Sequence, residues 1–133
     1  MIAHIPLMLV PFALYNLGLL GMFGSGGDPW GTEIFSLTMM SGGVFSMGWG
    51  DLLVLVALLI LFVEVLKSTR TSNASVLDHL LSTLVLIAFI VEFLLVREAA
   101  TSLFFTLMLI ALIDVMAGFS VSLRASSRDV NFR

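Results

Sequence analysis

Apolar runs of bilayer length constrain this chain more than any other feature. About 20 such residues, wound as a helix, satisfy their own backbone and cross a hydrocarbon core. Four runs are present, at residues 2–23, 52–66, 80–96 and 101–123. The chain is 59% hydrophobic and 11% charged, with a mean hydropathy of +1.14. Soluble domains carry about 25% charged residues, so lipid rather than water is the expected solvent. The expected fold is therefore all-α: a polytopic integral membrane protein of four transmembrane helices in one membrane domain spanning residues 1–133.

The first helix is expected over residues 2–23. No basic residue precedes it and no small-residue cleavage site follows, so it reads as a retained span rather than a signal peptide. Pro11 removes an internal hydrogen bond and is expected to kink it near Leu7. The second run, 52–66, is too short at 1.5 Å per residue. Extending it to 46–67 places Asp51 in the outer interface and lets the Lys67 stem reach the headgroups. Ser75 and Asp78 form an S-x-x-D capping box, which starts the third helix at residue 76 and carries it to 96. The fourth, 101–123, follows so closely that helices three and four must form a tight antiparallel hairpin.

Orientation follows from the basic residues. With the N-terminus inside, Lys67, Arg70, Arg124, Arg128 and Arg133 face the cytoplasm and Arg97 alone faces out. The positive-inside rule thus gives N-in and C-in, with residues 124–133 as a cytoplasmic tail, and a bacterial inner membrane is the expected location. The outer segment, residues 24–45, is expected to be interfacial. Within it, residues 33–40 are expected as a short helix that turns Ile34, Phe35, Leu37 and Met40 to lipid. Trp30 and Trp49 suit the interfacial aromatic belt.

Carboxylates inside the spans are the candidate polar site, because a charge in hydrocarbon costs about 2.5–3.5 kcal/mol on insertion scales. Glu64, Glu92 and Asp114 qualify, and together they could form a ladder across the membrane. Glu64 has Lys67 three residues on as an ion-pair partner. Glu92 has Arg97 near the outer interface. Asp114 has no basic neighbour in sequence, so a hydrogen-bonded carboxyl packed against another helix is expected, with Asn16, Tyr15, Ser82 and Thr83 as candidate partners. Ala111, Ala117, Gly118 and Ser122 form a candidate helix-packing face of small residues.

Other chemistry is sparse. There are no cysteines, which excludes disulfides and thiolate ligands. The net charge of −3 offers no footprint for nucleic acid. No hydrolase, zinc-protease, P-loop or dinucleotide motif occurs, so the chain is not expected to be an enzyme. Haem ligation by His4 and His79 is the one cofactor arrangement the topology suggests, and both sit shallow for a buried macrocycle; no cofactor is expected. The resulting expectation is an accessory or scaffold subunit that binds a partner membrane protein or copies of itself. The alternative is a small proton- or cation-coupled transporter or channel built on the intramembrane carboxylates.

Overall fold

A computed structural model describes residues 6–21, 29–68 and 73–131, with side chains described over 6–21, 29–67 and 77–120. Its elements in chain order are helix α1 (Leu9–Leu19), strands β1 (Glu33–Thr38) and β2 (Val44–Gly48), and helices α2 (Trp49–Ser68), α3 (Asn73–Leu95) and α4 (Ser102–Asn131), with single 3-10 turns at Pro29–Gly31 and Arg97–Ala99. Three helical stretches, Trp49–Lys67, Leu77–Leu95 and Ser102–Ser120, are long and apolar enough to cross a membrane. Each has 19 residues, or about 28 Å at helical rise.

The first helix is shorter than expected. Its 11 residues reach only about 16 Å. At its start Pro6 and Leu7 carbonyls accept from Leu9 and Val10 N–H groups, both at 3.0 Å. Pro11 then falls in the first helical turn, where no intrahelical N–H bond is lost, so the expected kink becomes a helix start. At the far end Gly21 takes φ +83° and breaks the helix, a conformation glycine adopts at little cost. The remainder of the predicted span, residues 2–5 and 22–23, lies outside the described residues.

The expected helix over 33–40 is instead the first arm of an antiparallel β-hairpin, so the chain is mostly but not wholly helical. Phe35 pairs with Met47, Ser36 with Ser46, Leu37 with Phe45 and Thr38 with Val44, with an irregularity between Glu33 and Phe35. At the tip Gly42 N–H donates to Met39 O at 2.9 Å and Met39 N–H to Gly43 O at 2.7 Å. Gly42 has φ +92°, the left-handed residue that closes a three-residue hairpin loop. The apolar–polar alternation Phe35, Ser36, Leu37, Thr38 against Val44, Phe45, Ser46, Met47 is the strand period, and it overrides the looser helical spacing.

The remaining boundaries shift for local reasons. α2 opens at Trp49, with Gly48 N–H donating to Asp51 Oδ2 at 3.1 Å. Asp51 is thus the third helical residue reaching back to the cap, one arm of a capping box. α3 begins at Asn73, three residues before the expected start, and Asp78 turns to Lys67 at 3.5 Å. Thr101 caps α4, its Oγ1 accepting from Phe104 N–H at 3.1 Å. α4 continues past residue 123 to Asn131.

α4 packs against α2 and α3, while α1 lies against α2 and α4. Leu7, just ahead of α1, touches Glu64 late in α2, whereas Tyr15 touches Thr101 at the start of α4. Successive helices therefore alternate in direction. Phe12 meets Phe89 edge-on at 4.9 Å, Phe89 lies 5.3 Å from Phe104, and Phe104 lies 4.9 Å from Tyr15. With Leu107, Ile110 and Ala57, these rings make a buried apolar middle.

Candidate functional site

The structure gathers polar side chains at two levels, separated by that middle. At the level of the α2 C-terminus, Glu64 is the centre. It is 3% exposed, and each of the four helices or its immediate flank supplies a contact. Lys67 Nζ donates to Glu64 Oε1 at 2.9 Å from one turn further along α2. Leu7 N–H donates to the same oxygen at 3.3 Å from the turn before α1. Ser82 Oγ donates to Oε2 at 3.5 Å from α3. From α4, the buried Asp114 carboxyl is a neighbour of Glu64.

Lys67 also bridges to Asp78 Oδ1 on α3 at 3.5 Å. Three carboxyls and one ammonium are thus confined to a largely enclosed site. Desolvated charges of this kind are expensive unless paired and hydrogen-bonded. Asp114 is 6% exposed, and its Oδ2 has no hydrogen-bond partner among the described residues.

The second level lies at the α4 N-terminus. Tyr15 Oη sits 2.8 Å from Thr101 Oγ1 and 3.5 Å from the Glu98 carbonyl. Asn16 donates to Phe12 O at 2.8 Å and neighbours Glu92 on α3. Trp30 stacks on Tyr15 with ring centroids 5.8 Å apart. Its indole occupies the space above Gly18, where an added Cβ would lie 2.6 Å from Trp30 Cζ2. Beside it opens a cleft of about 520 Å3 bounded by Glu33 and Ser46 of the hairpin, Asp51 and Val54 of α2, and Thr101 and Thr106 at the start of α4.

The predicted ladder of three carboxylates thus divides. Glu64 and Asp114 come together, while Glu92 belongs to the other level with Asn16. None of the four partners proposed for Asp114 is its hydrogen-bonding neighbour in this geometry. Tyr15 engages Thr101, Asn16 engages Glu92, Ser82 engages Glu64, and Thr83 bonds back to His79 O at 3.0 Å. Sequence reading paired Glu64 with Lys67 but missed the contacts from Leu7, Ser82 and Asp114. Their only signal was that each is a polar group lacking a local partner.

Ala111 and Gly118 are buried and Ala117 is half-buried. The Ser122 side chain lies outside the described residues. Trp49 is exposed at the head of α2, whereas Trp30 is half-buried as a wedge beside α1. His79 stacks on Phe119 at 5.6 Å, and His4, its suggested haem partner, lies outside the described residues. Among the described residues no group of three or more His, Cys, Asp or Glu side chains could hold a metal ion.

No family model, curated protein or solved structure matches this chain.

Proposed function

We propose that the chain is a four-span integral membrane protein of a bacterial inner membrane, N-in and C-in, acting as an accessory or scaffold subunit that binds a partner membrane protein or copies of itself. The observation that carries this reading is the apolar middle. Phe12, Phe89, Phe104, Leu107 and Ile110 lie between the Glu64–Asp114 level and the Tyr15–Glu92 level, with the last four buried. A conducting route needs a polar lining that joins both surfaces. Among the described residues the polar contacts cluster at the two levels, and Glu64 accepts hydrogen bonds from the flank of α1, from α2 and from α3, which supports a structural role.

One observation favours the second reading, a proton- or cation-coupled transporter or channel. Among the described residues Asp114 Oδ2 is buried without a hydrogen-bond partner, and intramembrane carboxyls commonly mark ion paths. Purified protein in liposomes with an internal pH dye separates the two readings. Wild type, Asp114→Asn and empty liposomes are expected to leak equally under imposed proton and cation gradients. A wild-type flux that vanishes in Asp114→Asn would overturn the scaffold reading in favour of transport. So would a single-chain mass in native mass spectrometry together with no membrane protein cross-linked to it in its own membrane.

A further inference from the structure

The hairpin has two chemically different faces. Phe35, Leu37, Phe45 and Met47 project to one side, because directly opposed residues share a face and the pairs are Phe35 with Met47 and Leu37 with Phe45. The rings of Phe35 and Phe45 touch diagonally at 6.1 Å. Ser36 and Ser46 occupy the other side, joined towards the tip by Thr38 and Val44. Ser46 lines the cleft, whose wall reaches Val54 and Thr106, within the first turns of α2 and α4. The serine face thus looks at the flank of the bundle. The phenylalanine face looks away from it.

Among the described residues nothing buries the Phe35, Leu37 and Phe45 side chains of that outward face, while Met47 nearer α2 is half-buried. Phe35, Leu37 and Phe45 are each exposed, and residues 34–50 contain no Asp, Glu, Lys, Arg or His. In water, an uncharged aromatic ribbon with two unpaired edges is an aggregation hazard. Its position supplies a different solvent. β2 ends at Gly48 and α2 begins at Trp49 with no linker, and Trp49 N–H is bonded to Thr32 O at 3.0 Å. The ribbon is therefore fixed to the head of a helix long and apolar enough to cross a membrane. Six residues of strand reach only about 20 Å, so the face stays close to the lipid that surrounds that helix.

We propose that this hairpin is a lipid-docking ribbon, with Phe35, Leu37, Phe45 and Met47 seated in the acyl-chain boundary of one leaflet and the serine face turned to the cleft and water. The proposal rests on the membrane-spanning reading of α2. The absence of cysteine makes site-specific labelling direct. Single cysteines at Ser36, Leu37, Phe45 and Ser46, and at exposed Leu59 of α2 as a reference, would carry nitroxide labels in phosphatidylcholine–phosphatidylglycerol liposomes. Relaxation by oxygen, which concentrates in lipid, is compared with relaxation by a water-soluble nickel chelate. The expected result is several-fold preference for oxygen at 37, 45 and 59 and the reverse at 36 and 46. Nickel preference at 37 and 45 with oxygen preference at 59 overturns the ribbon proposal alone. Labels at 37 and 45 shielded from both reagents would mean a protein covers the face, which also overturns it. Nickel preference at 59 overturns the membrane reading itself.

Discussion

Asp114 and Glu64 make a contact that neither residue's own helix explains, and it can be tested by changing which atom donates. An asparagine at 114 brings its own N–H to the Glu64 carboxylate and needs no proton to do so. Asp114→Asn is therefore expected to retain wild-type stability in SDS unfolding from mixed micelles. Asp114→Leu leaves Glu64 without that neighbour and is expected to cost about 0.6 kcal/mol, rising to about 1.7, the range for interhelical hydrogen bonds in membranes. A large loss for Asn with none for Leu would contradict this assignment. At the other level, Gly18 is set by steric need. A Cβ at 2.6 Å from the Trp30 ring forces the indole off Tyr15, an overpacking cost of about 1–3 kcal/mol. In a Trp49→Phe background, Gly18→Ala should red-shift the remaining tryptophan emission as Trp30 loses its seat. An unchanged spectrum would mean that the indole does not occupy this place.

Among the elements, the hairpin depends on one dihedral angle. Gly42 sits at φ +92° with nothing within 4 Å of an added Cβ, so substitution meets backbone strain and no clash. Gly42→Ala is expected to weaken the turn by about 1–2 kcal/mol, the left-handed penalty for an L-residue, while Asn, which tolerates that region, should be milder. Spin labels on the paired positions 38 and 44 would report a broadened interlabel distance in the alanine variant and a narrow one in wild type. The three long helices were legible because each is an apolar stretch with little inside it to argue otherwise. The hairpin was not. Its Gly42-Gly43 turn lies in a segment, residues 24–45, whose apolar residues also fit the spacing of a short interfacial helix, and a turn of this kind shows only once the two strands pair. α1 misled in the other direction, because its run is of spanning length by hydropathy alone, yet Pro6, Pro11 and Gly21 restrict the described helix to 11 residues. The site was half legible. A carboxylate and a lysine three residues apart declare themselves, whereas contacts from Leu7 and Ser82 depend on which helices become neighbours.

For the whole molecule, the alternating helix directions place Lys67 at one end and Arg97 at the other, and the proposed orientation follows from that separation. Single cysteines at Ser25 and Ala100 are expected to react with a membrane-impermeant maleimide added outside intact cells, and those at Ser72 and Ser126 only after lysis. Ala100 is exposed, whereas its neighbour Ala99 is fully buried and would report packing rather than sidedness. Labelling of Ser72 or Ser126 in intact cells would reverse the orientation. The contacts around Glu64 also carry a schedule. Leu7 precedes Glu64 by 57 residues and Ser82 follows it by 18, so a growing chain makes the acceptor long after the first donor and completes its surroundings only when α4 arrives. On the proposed membrane reading, a nascent chain until then holds the Glu64 carboxylate with an unfinished set of neighbours, and its cost falls as each later helix arrives.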